Sequence, residues 1–193
     1  EQRVEDISQM LGIPIDGYIK VNIKGFITLV DYLGGIDFYV PCDMDYDDPT
    51  PGQDLHIHQE PGYRLLDGRD AMEVVRFRKS NKNDPDYVSL GDVGRTQIQR
   101  DFLTAVLKKC LTPEILLKLP TLVDIFMDNV DTDLTVGNIL AFAQLAVGMD
   151  VENNVKFDSM PYDNTAYQGA ALALVREKEM LELLNSGLNP YQD

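Results

Sequence analysis

The chain has 193 residues, a length that fits a single domain. Its hydrophobic fraction of 44% is enough for a folded core. The formal net charge of −15 argues against general binding to nucleic acids or anionic membranes, because the long-range field repels them. No apolar run reaches the roughly 18–20 residues that a membrane-spanning helix needs.

The first part of the chain alternates between two kinds of hydrophobic pattern. Helical spacing predicts helices over 3–12 and 24–35, each followed or closed by glycine. Period-two alternation predicts strands over three segments: 17–22, 36–41 and 55–58. The segment between the last two strands, 42–54, is rich in Asp, Pro and Gly and is predicted to be a loop. Alternating helices and strands predict an α/β layered fold rather than a helical bundle.

The rest of the chain is predicted to be mainly helical. A short helix over 71–75, with Asp67 as a candidate cap, leads into a strand over 75–79 and a long polar loop over 80–92. The remaining predicted elements are a strand over 155–163 and helices over 95–111, 113–130 (broken by Pro120), 134–149 and 170–185.

An acidic segment gives a weak metal signal. Asp43, Asp45 and Asp47 occupy alternate positions, as ligands do in a calcium loop. However, Asp48 stands where that loop needs glycine, and the closing glutamate is absent. The segment is therefore interpreted as solvated.

The histidines and cysteines also lack a recognisable site pattern. His56 and His58 would share one face of a strand, but no third ligand is apparent near them, so they are predicted to be surface residues. Cys42 and Cys110 fit either two free thiols or one disulfide.

The segment 74–100 concentrates positive charge in this acidic chain; its basic residues are Arg76, Arg78, Lys79, Lys82, Arg95 and Arg100. If 75–79 is a strand, Arg76 and Arg78 share one face while Val75 and Phe77 share the other. Two guanidinium groups side by side suit phosphate oxygens, because each can donate two parallel hydrogen bonds.

The helix that follows offers two more candidates. Arg95 and Gln99 lie four residues apart, hence on one face, near a helix start whose free N–H groups favour anions. Just before this helix, Asp92 is predicted to act as its cap and Gly94 to allow a tight backbone approach. Spacing alone favours surface charges that pair with the many carboxylates; a phosphate or pyrophosphate site is the alternative.

Several motifs, in their order along the chain, carry a family resemblance. They are LGIPIDGYIKVNIKGFITLVDYLGGIDFYVP (11–41), LLDGRDAMEVVRFRK (65–79), GDVGRTQIQRDFL (91–103), DTDLT (131–135) and LNP (188–190). In this combination the chain resembles the LytR-CpsA-Psr family of cell-wall glycopolymer ligases. The resemblance favours the anion site over the surface-charge interpretation.

The resemblance implies a three-layer α/β sandwich with a central mixed β-sheet flanked by helices, over a single domain spanning 1–193. It implies transfer of a glycopolymer (wall teichoic acid or capsule) from a polyprenyl-pyrophosphate carrier to peptidoglycan, with Mg²⁺ as cofactor. The implied site residues are Arg76, Arg78, Arg95 and Gln99 for the pyrophosphate, with Asp92 in the same polar cluster. The implied location is extracytoplasmic, on the cell membrane.

Two departures from the family pattern limit what the resemblance implies. Ile98 stands where family members often have Arg, and Arg100 where they often have a second Gln. The family also has an earlier segment with Mg²⁺-binding Asp residues, a membrane anchor and the first strands, and we expect this segment to be missing from the chain. We therefore expect the C-terminal larger part of such a domain. The alternative is a non-catalytic module that binds a lipid-linked cell-wall polymer.

Overall fold

The structure is a computed structural model that describes residues 2–52, 54–81, 84–167 and 170–187. The chain divides into two compact units. The larger unit is Ile19–Val155, and the smaller unit combines Glu1–Tyr18 with Lys156–Asp193. The expectation of one domain over 1–193 stays a prediction. None of the described helices is long and apolar enough to span a bilayer.

The larger unit contains six strands and seven helices among the described residues. The strands are β1 (Ile19–Val21), β2 (Ile36–Val40), β3 (Met44–Asp48), β4 (Leu55–Gln59), β5 (Gly62–Leu66) and β6 (Val130–Thr132). The helices are α2 (Ile23–Tyr32), α3 (Gly68–Arg76), α4 (Gly91–Cys110), α5 (Pro113–Leu116), α6 (Leu119–Asn129), α7 (Val136–Ala146) and α8 (Val151–Asn154).

The smaller unit contains four elements in its described part. They are α1 (Gln2–Leu11), the hairpin strands β7 (Tyr162–Tyr167) and β8 (Ala170–Val175), and α9 (Glu177–Asn185). Gly12 ends α1 with a positive φ of 68°, as predicted. Two predictions here are wrong: β8 occupies the first part of the predicted helix 170–185, and of the predicted strand 155–163 only Tyr162 and Asp163 are extended in a ladder. The LNP motif at 188–190 lies outside the described residues.

The described strands pair in four two-stranded antiparallel ladders, β1–β6, β2–β5, β3–β4 and β7–β8. The α/β class is therefore confirmed. The described ladders share no strand, so they do not join into one continuous central sheet. β3 corrects the predicted loop over 42–54: Met44 is buried on one face, and Asp45 and Asp47 lie exposed on the other.

The core of the larger unit forms where α2, α3 and α4 pack against β2 and β4. Its fully enclosed side chains include Ile36, Val40, Ile57, Leu66, Val74 and Phe77. Asp67 caps α3 as predicted, because its carboxylate accepts hydrogen bonds from the N–H groups of Arg69 and Asp70 at 2.9 Å. Pro120 lies in the first turn of α6, where the break from α5 falls, also as predicted.

Gly68, the first residue of α3, sets how closely α3 and α2 approach. A Cβ added at Gly68 would lie 2.3 Å from the carbonyl oxygen of Ile27 in α2. The Gly68 N–H also donates to the Asp31 carboxylate at 2.7 Å. A side chain at this position therefore forces the two helices apart.

We expect Gly68→Ala to lower the free energy of unfolding by about 1–3 kcal/mol, the usual cost of overpacking, despite the higher helix propensity of alanine. Gly137→Ala in α7 is the matched control, because its added Cβ meets only Thr135 Oγ1 at 3.6 Å. Urea unfolding of both variants measures the difference. Equal stability of the two variants would contradict the close approach of α2 and α3.

Candidate anion-binding site

A pocket of about 300 Å³ in the larger unit brings together side chains from α3, α4, β3, β4 and the segment after α3. Its lining residues are Tyr46, Leu55, Ile57, Arg76, Arg78, Lys79, Arg95 and Gln99. Four of the five residues selected from the sequence, Arg76, Arg78, Arg95 and Gln99, therefore line one cavity. Lys82 lies outside the described residues.

Arg76 and Arg78 reach the pocket by a route other than the predicted strand over 75–79. Arg76 is the last residue of α3, and the helix ends because Phe77 takes extended backbone angles (φ −61°, ψ 132°). Phe77 is completely buried, so it anchors the chain in the core between the two arginines. The predicted strand over 75–79 was wrong. Both arginines nevertheless line the same pocket, as the anion-site hypothesis required.

The segment 77–91 is closed at its base, and this closure brings α4 next to Arg78. The Arg78 carbonyl accepts hydrogen bonds from the N–H groups of Leu90 and Gly91 at 3.0 and 3.2 Å. Lys79 and Ser89 form an isolated antiparallel bridge beside them. The long polar loop expected from the sequence thus returns to its starting point, which joins residues far apart in sequence into one site.

α4 carries Arg95 and Gln99 on its pocket-facing side, one turn apart, as predicted. The predicted cap is wrong, because α4 begins at Gly91 and therefore contains Asp92 and Gly94. Asp92 lies outside the pocket lining; its carboxylate accepts from Arg95 Nη2 at 2.5 Å. This contact is consistent with the expectation that Asp92 orients Arg95.

Gln99 is tied to the end of α3. Its side-chain amide donates to the carbonyl oxygen of Val75 at 3.0 Å. This bond links α4 to the last turn of α3, just before Arg76. One of the two amide hydrogens is thus used within the protein, and the other remains for a ligand.

The pocket has an excess of positive charge. In the part of the chain that the structure describes, no carboxylate lies within 4.0 Å of the charged nitrogens of Arg76, Arg78 or Lys79. Arg95 pairs with Asp92, at the edge of the same group. Three cations without a described carboxylate partner, in a chain of net charge −15, make this pocket a candidate site for an anion with several oxygens.

The floor of the pocket was not identified from the sequence. Leu55 and Ile57 are buried on the inner face of β4, and Tyr46 comes from β3. The period-two pattern of Met44, Asp45, Tyr46 and Asp47 was the available signal for β3. It was hidden by the high Asp content, which is unusual in strands.

The described pocket lining does not fit Mg²⁺. Mg²⁺ is held by carboxylates, water and substrate oxygens, and none of the eight lining residues is Asp or Glu. The lining offers one neutral side-chain carbonyl, that of Gln99, among four cations. The magnesium dependence implied by the resemblance therefore stays a prediction.

The two histidines have a partner that sequence reasoning missed. Asp47 Oδ1 contacts His56 Nδ1 and lies 3.5 Å from His58 Nε2. The strand pairing explains this contact, because Asp47 lies directly opposite His56 on the outer face of the β3–β4 ladder. Hydrogen bonding to Asp47 raises the pKa of His56, and the same bond lowers the pKa of Asp47.

Cys42 and Cys110 are both free thiols. Burial raises the pKa of Cys110, the last residue of α4, to about 11. Burial and the negative charge of Asp43 raise the pKa of Cys42 as well. Both thiols are therefore protonated at neutral pH, and neither has the electropositive surroundings of a reactive cysteine.

We expect Cys110 to resist alkylation in the folded protein. At about pH 8 only about one Cys110 in a thousand carries the reactive thiolate, compared with about one in four for an unperturbed thiol. Labelling with iodoacetamide, followed by peptide mass spectrometry, separates Cys110 from Cys42, and urea-unfolded protein is the control. Native labelling of Cys110 as fast as in urea would contradict its burial.

The fold and the cationic pocket can now be compared with known proteins. The sequence matches the LytR_cpsA_psr family over residues 1–188. The crystal structure of Bacillus subtilis TagV matches with a TM-score of 0.73 at 24% identity, covering 95% of this chain and 66% of that one. The LytR-Csp2A-Psr enzyme from Actinomyces oris matches with a TM-score of 0.69 at 21% identity, covering 91% and 64%.

The chain belongs to the LytR_cpsA_psr family. Among curated relatives, it is 28% identical over 174 residues to the polyisoprenyl-teichoic acid–peptidoglycan teichoic acid transferase TagV of Bacillus subtilis (strain 168). It is 34% identical over 135 residues, 70% of the chain, to the transferase TagU of Bacillus cereus (strain ATCC 14579). The TagV match covers 90% of this chain but 40% of that protein, and the TagU match likewise covers 40% of its protein.

Proposed function

We propose that this chain provides the pyrophosphate-binding part of a cell-wall glycopolymer phosphotransferase. The substrate is a glycopolymer on a polyprenyl pyrophosphate, the acceptor is peptidoglycan, and the product is a phosphodiester. One observation carries the proposal: Arg76, Arg78 and Lys79 line a single pocket and have no carboxylate partner in the described structure. Family membership and the transferase names of TagV and TagU support it.

The arginines would act on the charge of the pyrophosphate. A peptidoglycan hydroxyl attacks the phosphorus next to the sugar, a new P–O bond forms, and the bond to the bridging oxygen breaks. Polyprenyl phosphate leaves with the electron pair of that bond, and the proton of the attacking hydroxyl passes to water. Such a transfer requires positioning and neutralisation of charge rather than covalent help from the protein. Guanidinium groups on both phosphates would stabilise the charge that develops on the leaving group.

The individual roles follow from the geometry. Arg76 and Arg78, on either side of the buried Phe77, would hold the pyrophosphate oxygens. Arg95 would approach from α4, with its direction fixed by Asp92. Gln99 would keep the ends of α3 and α4 together through Val75 and contribute its second N–H to the ligand. The acceptor, peptidoglycan, places this reaction outside the cytoplasm.

A second function is favoured by one specific observation. The described pocket lining contains no carboxylate, so the pocket itself offers neither a carboxylate ligand for a metal ion nor a carboxylate that could accept a proton. The alternative is therefore a module that binds a lipid-linked cell-wall polymer without transferring it. Both functions require the cationic pocket, and they differ only in turnover.

A transfer assay separates the two functions. The chain is incubated with a short-chain polyprenyl-pyrophosphate glycan, a soluble peptidoglycan fragment and Mg²⁺, and the products are analysed by mass spectrometry. Release of polyprenyl phosphate together with a phosphodiester-linked adduct supports the phosphotransferase. Binding of the lipid without either product, by this chain and also by a longer form that carries the family's earlier segment, supports the binding module. Absence of binding contradicts both functions.

A further inference from the structure

The outer face of the β3–β4 ladder carries a second group of potential ligands, away from the cationic pocket. His56 and His58 alternate with the buried Leu55, Ile57 and Gln59 along β4, so the imidazoles face solvent. Asp47 projects from β3 on the same face, opposite His56 in the strand register. One ligand atom from each of these three residues lies within 4.8 Å of the others.

We propose that Asp47, His56 and His58 bind a divalent transition-metal ion, with Zn²⁺ as the preferred occupant. Two imidazole nitrogens and one carboxylate oxygen suit Zn²⁺, which takes such ligands at about 2.0–2.2 Å. Ligands around one tetrahedral zinc are about 3–4 Å apart, so the three exposed side chains need only small rotations to converge. Mg²⁺ and Ca²⁺ prefer all-oxygen ligands and fit this set poorly.

The second nitrogen of each imidazole is held by another carboxylate. His58 Nδ1 contacts Asp45 Oδ1 at 2.8 Å, which leaves Nε2 directed towards Asp47. His56 Nε2 lies 3.2 Å from Asp54 Oδ1, which leaves Nδ1 directed towards Asp47. Metal-binding histidines usually have this arrangement, because a carboxylate on the far nitrogen fixes the ring and strengthens the ligand. Two surface histidines without a metal-binding role have no need of a carboxylate on the far nitrogen of each ring.

The backbone of Asp47 is also fixed. Asn81 Oδ1 accepts from the Asp47 N–H at 2.7 Å, and Asn81 Nδ2 donates to the Asp47 carbonyl at 2.9 Å. The Asp47 carboxylate therefore projects from a strand that pairs with β4 and is also hydrogen-bonded to Asn81. The carboxylates of Asp45, Asp47 and Asp54 gather three negative charges on one face of the ladder, so a divalent cation is electrostatically favoured there.

A metal at this position would join β3 to β4. Leu55 and Ile57, on the inner face of the same ladder, form the floor of the cationic pocket together with Tyr46. The ion would therefore act as a clamp on the pocket floor. It would take no part in the reaction itself.

Zinc binding to the full chain tests the proposal in a way that is independent of transferase activity. We expect one Zn²⁺ per chain by equilibrium dialysis and atomic absorption in the presence of millimolar Mg²⁺. Because the chain has two histidines in total, ¹⁵N-detected imidazole signals assign the ion to this cluster. We also expect the melting temperature to rise by about 5 °C or more when free zinc exceeds Kd about 100-fold.

Four variants and one matched control, all at exposed positions, make the test specific. His56→Gln combined with His58→Gln should abolish stoichiometric binding, and Asp47→Asn should weaken it at least about tenfold. Asp45→Asn and Asp54→Asn should each weaken it about 10- to 100-fold, as for other partners of metal-binding histidines. Asp43→Asn, which removes the same charge from the same segment outside the cluster, is the matched control and should change Kd less than about twofold.

Three results would overturn the proposal. One is binding of zinc no stronger than binding of magnesium. Another is unchanged stoichiometry in the double histidine variant, since the ion would then lie elsewhere. The third is an equal loss in Asp43→Asn and Asp47→Asn, because binding would then reflect only the general acidity of the segment. Circular dichroism of each variant confirms that it is folded.

Discussion

Replacing Arg95 with alanine is expected to weaken binding of a polyprenyl pyrophosphate by about 100-fold, more than the same change at Arg76 or Arg78. A hydrogen bond to a charged group contributes about 1.5–3 kcal/mol, which corresponds to about 10- to 100-fold for each arginine. Arg95→Ala has an added effect, because it leaves the Asp92 carboxylate beside the pocket without its partner. Isothermal titration calorimetry with a short-chain polyprenyl pyrophosphate measures the affinity of all three variants.

Two controls separate the loss of a site from the loss of charge or of fold. Arg69→Ala removes a guanidinium from α3 outside the pocket lining, at a side chain 74% exposed, and should change affinity less than about twofold. Asp92→Asn added to Arg95→Ala should restore part of the lost affinity, because it removes the unpaired carboxylate. If each arginine variant loses free energy of unfolding in proportion to its loss of lipid affinity, the basic residues have a structural role. That result would contradict the proposed anion site.

Replacing Phe77 with alanine is expected to lower the free energy of unfolding by about 3–5 kcal/mol. Phe77 has no exposed surface, and its removal leaves a cavity at the end of α3. Because Phe77 sits between Arg76 and Arg78, the protein that remains folded should also bind pyrophosphate more weakly. Urea unfolding measures the first effect, and lipid titration below the unfolding transition measures the second.

Phe77→Leu is the matched control, because a large aliphatic side chain refills most of the space. We expect it to cost less than half as much as the alanine substitution and to keep lipid affinity close to that of the unmodified chain. A Phe77→Ala variant of unchanged stability would show that Phe77 does not anchor the segment. Loss of stability with full affinity would show that the positions of the arginines do not depend on it.

The elements predicted correctly are those in which local chemistry and tertiary packing agree. Asp67 caps α3 because a carboxylate can satisfy free N–H groups in any context. Pro120 separates α5 from α6 because proline has no N–H to donate. Gly12 ends α1 because glycine adopts positive φ without strain. None of these needs knowledge of distant residues.

The errors arise where a partner far along the chain decides the structure. The segment 75–79 alternates like a strand, but the described structure gives it one bridge, between Lys79 and Ser89, and α3 continues to Arg76. The apolar segment 170–175 has no decisive period, and its pairing with β7 makes it a strand. The acidic β3 is stabilised across the ladder by His56 and His58, which no local propensity could show.

The candidate site was more predictable than the local structure around it. Residue type and spacing selected Arg76, Arg78, Arg95 and Gln99, and the resemblance favoured an anion as their ligand. Their convergence depends on the closure of the segment 77–91 by the Arg78 carbonyl, a backbone contact with no sequence signature. Lys79 was noted only as part of the basic segment, and Tyr46 was missed because its strand was predicted to be a loop.

Native mass spectrometry of the chain with a short-chain polyprenyl pyrophosphate tests the central claim most directly. The claim is that the pocket lined by Arg76, Arg78 and Arg95 binds the pyrophosphate. We expect a one-to-one complex that is absent with the matching prenyl alcohol and is lost in a folded Arg95→Ala variant. Equal binding of the alcohol and the pyrophosphate, or unchanged binding by Arg95→Ala, would contradict the claim.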